Sequence, residues 1–314
     1  MTRPTLTMFF AALFLLGSAA PAYLTELEII THKTEEEGLP ANAVSALTTD
    51  GGSGVFVASD AGLHIFLDYF FLPVFQRLKA TRLCRDPKGD VWAATDSALI
   101  YRVSPSADIW SAVRYTLPYK KTVTAIAARH DALFVGTDSG LYYISGGDQT
   151  FRPVMGKRAV SALCVLPDGT LIAAVRDKSP ARTGLTIIGG EFASRTGWVD
   201  ELSGFEIRAF FYSADRLFIG TRDGAVLILD EAGIWHVVSF EKVGRIDALL
   251  VSEGMLVIGS ERGLFGGGID GPITGLPTAD GGTIGPVTSL APGPDLTIWV
   301  GTDGDGLYLV RIHP

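Results

Sequence analysis

Acidic side chains recur at one place along this sequence, just after short apolar runs that end in a small residue and Thr, Ser or Val. They are Asp60, Asp96, Asp138, Asp177, Asp223, Glu261, and Asp303 with Asp305. Carboxylates gathered on one axis could bind a cation, but Asp before a closing glycine is also typical of type I turns. The repeated turn is the favoured interpretation. Asp303 and Asp305 weakly resemble a calcium loop and are weak metal candidates, because the further carboxylates of such a loop are missing.

Basic side chains form a second group, in segments that lead into strand-like runs, in a longer loop at 176–182 and, beside the acidic Asp247, within the strand-like runs themselves. The candidate ligand-binding residues are Lys121, Lys157, Arg158, Arg176, Lys178, Arg182, Arg208, Arg245 and Asp247. Arg208 and Asp247 hold the same register in consecutive repeats, with Arg82 one position away, and are expected to pair as a structural feature or a ligand clamp. Such a face suits a carboxylate, a phosphate or an acidic partner. The alternative is loop charge that balances the acidic turns.

Catalytic motifs give little support for an enzyme. The sequence contains no Gly-x-Ser-x-Gly, no His-Glu-x-x-His and no phosphate-loop motif. The five histidines are scattered and are expected away from the face with the acidic turns. We predict no catalytic residue and no cofactor, and the prediction leans away from an enzyme. The alternative is a lyase, lactonase or glycan hydrolase that uses the axial carboxylates.

An aromatic segment at 66–75 is the most apolar rim of any repeat. Its candidate partner-docking residues are Tyr69, Phe70, Phe71 and Phe75. An exposed aromatic patch can dock a partner protein. The same residues could instead pack under their own hairpin, since an alternating strand must expose some of them.

A repeat of about forty residues must position all these side chains. Its anchor positions, spaced 36 to 46 residues apart, are Ser59, Thr95, Thr137, Val175, Thr221, Ser260 and Thr302. A large apolar residue lies three positions before each anchor, and only Ala or Gly lies one position before it. Alternating runs such as Val-Ser-Ala-Leu at 44–47 have the strand period, and Gly/Asp turns separate them. The pattern predicts an all-β, seven-bladed β-propeller.

The ends of the chain are expected to close the ring. The last repeat stops after its third strand, so residues 24–33 are predicted to supply the outer strand of blade seven. The predicted bounds are a signal peptide at 1–22 and one propeller at 23–314, with closing strand 24–33, blade one 42–78, blade two 79–120, blade three 121–157, blade four 158–203, blade five 204–243, blade six 244–284 and blade seven 285–314.

Two stretches carry a family likeness. They are Gly-Leu-Pro-Ala-Asn-Ala-Val at 38–44 and Ile-Trp-Val-Gly-Thr-Asp at 298–303, with a partial copy at 86–95. They resemble the two-component-regulator propeller repeat. The resemblance implies an extracytoplasmic sensor propeller, usually joined to a membrane span and a histidine kinase. This chain ends at Pro314 without either, so the resemblance implies a stand-alone propeller and puts direct kinase signalling in doubt.

The first residues predict export. Arg3, the apolar run at 8–16 and Ala-Pro-Ala at 20–22 form a signal-peptide pattern, with cleavage before Tyr23. The alternative is an uncleaved anchor, and no Cys follows to carry a lipid. The net charge of −8 argues against a nucleic-acid partner. Cys84 and Cys164 fall on first strands of nonadjacent blades and are predicted to be free, buried thiols.

Together these features predict a periplasmic or secreted, non-catalytic module that binds a ligand or a protein. The expected partner is an envelope protein, an anionic small molecule or a glycan, with no membrane span. The chain is expected to be a monomer or a subunit of a complex. A scaffold of an envelope complex is a further reading.

Overall fold

The computed structural model describes residues 26–105, 110–119, 121–130, 132–176, 183–189, 194–198, 202–240, 242–279 and 281–313. The predicted signal peptide at 1–22 lies outside these residues. No helix within the described ranges is long and apolar enough to cross a membrane.

Within these residues twenty-eight strands form seven antiparallel sheets of four strands each, as the repeat predicts. The chain begins with β1 (Glu26–Lys33). Blade one holds β2 (Val44–Thr49), β3 (Val55–Ser59), β4 (Gly62–Leu67) and β5 (Phe70–Gln76). Blade two holds β6 (Ala80–Arg85), β7 (Val91–Thr95), β8 (Leu99–Pro105) and β9 (Trp110–Thr116). Blade three holds β10 (Val123–Arg129), β11 (Ala132–Thr137), β12 (Gly140–Ser145) and β13 (Arg152–Gly156).

The remaining blades repeat this order. Blade four holds β14 (Ala159–Val165), β15 (Leu171–Arg176), β16 (Thr183–Ile188) and β17 (Ser194–Trp198). Blade five holds β18 (Ile207–Ser213), β19 (Arg216–Thr221), β20 (Ala225–Leu229) and β21 (Trp235–Ser239). Blade six holds β22 (Ile246–Ser252), β23 (Met255–Ser260), β24 (Gly263–Gly268) and a two-residue outer strand, β25 (Thr274–Gly275). Blade seven holds β26 (Val287–Pro292), β27 (Thr297–Thr302) and β28 (Leu307–His313). A short 3₁₀ turn, Glu35–Glu37, follows β1.

Blade seven confirms the predicted ring closure. Its sheet runs β1-β28-β27-β26, so the strand that begins the described chain is its outer strand. β1 is antiparallel to β28, with Leu27 opposite Ile312 and Lys33 opposite Leu307. This pairing joins the first and last described strands in one sheet.

The core lies between neighbouring blades. The large residues three positions before the anchors are all buried there: Phe56, Trp92, Phe134, Ile172, Phe218, Val257 and Trp299. The small residues one position before the anchors are needed for close approach. A Cβ added at Gly220 would lie 2.6 Å from Ile246 of the next blade, and one at Gly301 would lie 2.6 Å from Val44. The Gly or Ala of this position therefore sets the spacing of the blades.

The motif behind the family likeness is structural. Asp86 is buried and accepts hydrogen bonds from the backbone N–H of Asp90 (3.0 Å) and the indole Nε1 of Trp92 (3.1 Å). The carboxylate thereby joins the turn between β6 and β7 to the core. An Asp and a Trp at this spacing therefore stabilise a blade, and their presence does not indicate a ligand.

Every first strand contains one extra residue, which the sequence alone did not predict. The register between first and second strands shifts at the same place in all seven blades. We call these residues the bulge ring: Ser45, Thr81, Thr124, Ser161, Arg208, Asp247 and Thr288. A β-bulge bends its strand and re-aims the side chain.

The two cysteines are free, as predicted, although both are only partly buried. Cys84 lies opposite Trp92 and Cys164 opposite Ile172, the same register position in blades two and four. Burial raises the pKa of both thiols, that of Cys164 to about 11. Neither is therefore an activated nucleophile.

Candidate functional site in the axial cavity

The first strands of all seven blades surround a cavity of about 1310 Å³ on the axis of the ring. The turns between second and third strands reach its mouth and contribute Asp60, Asp96, Asp138 and Asp303. The segments that precede first strands reach the same mouth, with Lys79 and Arg245 among them. Charges of both signs therefore meet on one face.

The bulge ring lines this cavity and joins neighbouring blades. Ser45 donates to the carbonyl of Ala80 in blade two, and Thr288 donates to the carbonyl of Val44 in blade one, each at 2.6 Å. Thr124 makes the same bond to blade four. The hydroxyls thus satisfy carbonyls of the next first strand, which is a structural role.

Blades five and six replace these hydroxyls by charges. Arg208 Nη2 lies 2.9 Å from Asp247 Oδ1 across the blade interface, which is the pairing predicted from their shared register. Arg245 Nε donates to the second oxygen of Asp247 at 2.8 Å, and Arg245 Nη1 lies 3.5 Å from Glu261. The hydrogen bond to Asp247 raises the pKa of Arg245. One carboxylate therefore holds two guanidiniums at the cavity.

Arg82 is the long side chain in an otherwise small position, one residue after the bulge. The other six blades have Ala46, Ala125, Ala162, Ala209, Ala248 and Ser289 there. Arg82 Nε donates to the carbonyl of Thr124 at 2.9 Å, and Nη1 donates to the carbonyl of the preceding residue at 2.6 Å. Burial and then the positive charge of Arg208 lower the pKa of Arg82, while Asp96 and Asp247 oppose the shift. The guanidinium stays charged, as arginine does in proteins.

A ring of large apolar residues follows along the first strands. It consists of Leu47, Leu83, Ile126, Leu163, Phe210, Leu249 and Leu290, and all seven line the cavity. The cavity is thus polar at the mouth, has guanidiniums in its upper part and is apolar further in. An amphipathic small molecule matches such a lining.

The remaining predicted ligand residues lie at different places. Arg176 lines the cavity and pairs with Glu206 at 3.0 Å. Lys121 lies outside the lining, donates to Ser139 at 2.8 Å and stands over the ring of Tyr142. Lys157 and Arg158 also lie outside the lining. Lys178 and Arg182 lie outside the described residues.

The acidic turns are built as turns. Anchor hydroxyls close them: Thr137 donates to the carbonyl of Gly140 at 2.8 Å, and Thr302 to that of Gly306 at 2.7 Å. Among the described residues, no group of three or more His, Cys, Asp or Glu is placed to hold a metal ion. Asp305 accepts the hydroxyl of Tyr308 at 2.7 Å and the N–H of Gly285 at 2.9 Å, so its carboxylate already has partners.

One histidine departs from its predicted place. His32 is the last residue but one of β1, stacks on Tyr308 with 4.0 Å between ring centroids, and its Nε2 lies 2.7 Å from the carbonyl of Asp305. Asp305 belongs to a turn on the cavity face, so His32 borders that face at its rim. The closing strand β1 brings His32 to this rim. The sequence does not show this contact, because His32 lies far from the last repeat along the chain.

The aromatic segment of blade one divides into two pairs. Tyr69 and Phe70 are exposed, at 87% and 68%. Phe71 packs against Phe66 with 4.7 Å between ring centroids, and Phe75 contacts Tyr101 at 5.3 Å. Only the first pair is available to a partner.

Solved structures of similar shape include extracellular domains of two component systems and a lyase. The extracellular domain of the hybrid two component system BT4673 from B. thetaiotaomicron matches with a TM-score of 0.71 at 16% identity, over 90% of this chain and 39% of that chain. Streptogramin B lyase matches with a TM-score of 0.71 at 12% identity, over 92% and 98%. PorZ, a surface component of the type-IX secretion system of Porphyromonas gingivalis, matches with 0.68 at 15%, over 88% and 47%.

These likenesses establish the fold, and they agree with the resemblance of the repeat to two-component-regulator propellers. This chain spans about two fifths of the BT4673 domain. No protein-family model matches the sequence, and no curated protein matches it.

Sequence reasoning left two parts of the site unassigned. Arg82 was noted beside Arg208 and Asp247 but was not placed among the ligand residues. In the sequence, the residues of the apolar ring are indistinguishable from the ordinary apolar–polar alternation of a strand. Both become visible when the four-residue starts of the first strands are aligned. The four positions are apolar, polar, small and large apolar, and Arg82 is the exception at the third position.

Proposed function

We propose that this protein is a non-catalytic β-propeller of the cell envelope that binds a ligand or a protein at the face with the axial cavity. The observation that carries the proposal is the meeting of Arg82, Arg208 and Arg245 in one large cavity above an apolar ring. The extracellular sensor domains among the structural neighbours support the envelope location and the binding role.

The test is to isolate the mature chain from its own envelope and to analyse co-purifying proteins and small molecules by mass spectrometry. A matched preparation carries Arg208→Thr and Asp247→Thr, which leave the outer surface unchanged. A partner or ligand retained by the wild type and lost from this variant supports the proposal. Equal recovery from both would place binding elsewhere.

The exposed pair Tyr69 and Phe70 is a second proposed contact, for a protein partner. Its variant is Tyr69→Ser with Phe70→Ser in the same isolation. Loss of a protein from this variant alone would assign that protein to the rim of blade one.

Export is part of the proposal. The pattern at 1–22 supports a cleaved signal peptide and a periplasmic or secreted chain. Intact-mass analysis of the protein recovered from the producing cell is expected to begin at Tyr23. A mass that retains residues 1–22 would support the uncleaved anchor.

A lyase is the second candidate, because streptogramin B lyase covers nearly the same fold over 98% of its length. A propeller lyase, lactonase or glycan hydrolase would use carboxylates at the cavity mouth. One of those carboxylates, Asp60, has a basic partner in Lys79 at 3.1 Å. Calcium titration with thermal unfolding distinguishes the two functions. A rise in Tm with calcium, reversed by a chelator, favours the enzyme.

A further inference from the structure

We propose that Arg82 and Arg208 form a binding site for the carboxylate of a small monocarboxylic acid, whose apolar body lies against the apolar ring of the axial cavity. The inference deepens the proposed ligand-binding function and depends on it. It assigns the chemical class of the ligand and the two residues that recognise it.

The first argument is that Arg82 has no structural need for its charge. Six blades form the same first strand with Ala or Ser at this position. Within the described ranges Arg82 makes no ion pair, and its hydrogen bonds go to two backbone carbonyls. A guanidinium has five N–H donors, so three of those of Arg82 have no protein acceptor there. A long cation in a ring of small residues, with free donors in a cavity, is arranged to meet an anion.

The second argument concerns the charge of the site. Arg208 and Arg245 share the carboxylate of Asp247, whereas Arg82 lies close to the positive charge of Arg208, with Asp96 as a further carboxylate of the lining. An anion held between Arg82 and Arg208 would reduce the repulsion between the two guanidiniums. A carboxylate also fits the planar fork of a guanidinium with two parallel hydrogen bonds.

The third argument is the order of the lining. The apolar ring begins one residue beyond Arg82, at Leu83, and two residues beyond Arg208, at Phe210. A ligand whose carboxylate meets the guanidiniums therefore places its body against leucine and phenylalanine side chains. Burying that body supplies affinity, and the ion pair supplies orientation.

The cavity also suits the size of such a ligand. Its volume of about 1310 Å³ is ample for a drug-sized molecule. The guanidiniums of Arg208 and Arg245 are already fixed by Asp247, at 2.9 Å and 2.8 Å. Pre-positioned donors lose little side-chain freedom when an anion binds.

The experiment uses the mature chain and three acids with different bodies: octanoate, 4-phenylbutyrate and indole-3-propionate. Each is paired with its neutral amide, and inorganic phosphate is a further arm. Thermal unfolding at up to 10 mM and isothermal calorimetry give the binding. At least one acid is expected to raise Tm and to bind at least tenfold more tightly than its amide, because only the acid has the charge.

Two variants locate the binding. Arg82→Ala, which restores the residue of most other blades, is expected to weaken the acid at least tenfold and to leave the amide unchanged. Arg208→Thr with Asp247→Thr, which restores the hydroxyls, is expected to do the same. Arg152→Ala removes an exposed charge on the outer strand of blade three and is expected to leave binding as in the wild type.

Three results would overturn the inference: no acid binds at 10 mM, the amides bind as tightly as the acids, or Arg82→Ala binds the acid as the wild type does. Phosphate bound in preference to every acid would also overturn it, since the site would then be a simple anion site. None of these results removes the proposed function. That function fails separately, when neither a protein nor a small molecule is retained by the wild type and lost from the Arg208/Asp247 variant.

Discussion

Two parts of the bulge ring use the same backbone bend for different purposes. In blades one, three and seven the bulge residue is Ser45, Thr124 or Thr288, and its hydroxyl bonds a carbonyl of the next blade. In blades five and six it is Arg208 and Asp247, which bond each other across the interface. The hydroxyls hold neighbouring blades together and leave no charge in the cavity. The charged pair also spans an interface, but it adds charged groups to the lining of the cavity.

This contrast shows where a repeat protein departs from its repeat. A hydroxyl is sufficient for the structural role, because three blade interfaces use it. Charges at two consecutive positions of the ring add a desolvation cost that the fold does not require. Departures from the repeat that cost energy are therefore the best guide to the functional residues in this ring.

The largest expected effect comes from the small residues that both parts of the ring share. Gly220→Ala places a Cβ 2.6 Å from Ile246, at the interface of blades five and six, and Gly301→Ala places one 2.6 Å from Val44, at the interface of blades seven and one. Overpacking costs about 1–3 kcal/mol, which exceeds the gain of about 0.5–1 kcal/mol from replacing a strand glycine. Chemical unfolding is expected to show similar losses for both variants.

The control is Gly147→Ala, where an added Cβ meets nothing within 4 Å. It is expected to leave the unfolding free energy nearly unchanged. A large loss of unfolding free energy for Gly301→Ala with none for Gly220→Ala would contradict this expectation. It would mean that the charged interface of blades five and six is packed more loosely than the hydroxyl interface of blades seven and one.

The next effect is at the bulge ring itself. Thr288→Val removes the hydroxyl that bonds the carbonyls of Val44 and Gly301 and leaves these partly buried acceptors without that donor. A loss of about 1–2 kcal/mol is expected. The paired change Arg208→Thr with Asp247→Thr is expected to cost less, because each new threonine can make the bond that the other blades make.

Chemical unfolding of both variants beside the wild type measures this difference. Asp247→Ala alone is the informative control, since it leaves Arg208 and Arg245 without their shared carboxylate. Its stability is expected to fall further than that of the double variant, and most at low salt. If the double variant were the least stable of the three, the charged pair would be the structural element of its interface.

Much of this architecture could be predicted from the sequence, because the repeat reports backbone constraints. The small residue before each anchor, the large residue three places before it and the open last repeat predicted seven blades and the closing strand. The bulge ring could not be predicted. A bulge of this kind requires no glycine, so Ser45 and Ala46 read as ordinary strand alternation.

The candidate site was predicted only in part, for a related reason. Register placed Arg208 beside Asp247 because both positions share a column of the repeat. Whether a loop cation reaches the cavity depends on the path of its loop, which no periodic pattern determines. Arg176, at the end of β15, lines the cavity, and Lys121, just before β10, does not.

A smaller effect on stability is expected for Arg82→Ala, which changes a residue that we assign to ligand binding. Arg82→Ala removes two hydrogen bonds to carbonyls at the edge of an open cavity, where water can replace them. It also removes a buried cation close to Arg208. We expect the unfolding free energy to change by less than about 1 kcal/mol. A loss comparable to that of Gly220→Ala would make Arg82 a structural residue and would weaken its assignment to a ligand.

The smallest effect contrasts the inner ion pair of blade five with an exposed pair on its outer strand. Asp230 lies 2.8 Å from His236 and also accepts the N–H of Ile234. The hydrogen bond from His236, followed by that backbone bond, lowers the pKa of Asp230. A carboxyl whose pKa is lowered on folding stabilises the fold above its unfolded pKa, about 3.9. That contribution is lost as the pH falls through the lower folded value.

Unfolding of the wild type and Asp230→Asn is therefore expected to differ most near neutral pH, with the wild type slightly more stable, and to converge as the pH falls below about 4. Glu231→Gln, at the exposed neighbouring position, is the control for loss of a nearby negative charge. A gap that stays constant with pH would show that the side chain of Asp230 acts through shape, without its charge. The inner pair differs in its partners, because both groups that hold Asp247 are arginines, whose charges stay in place at every pH of the measurement.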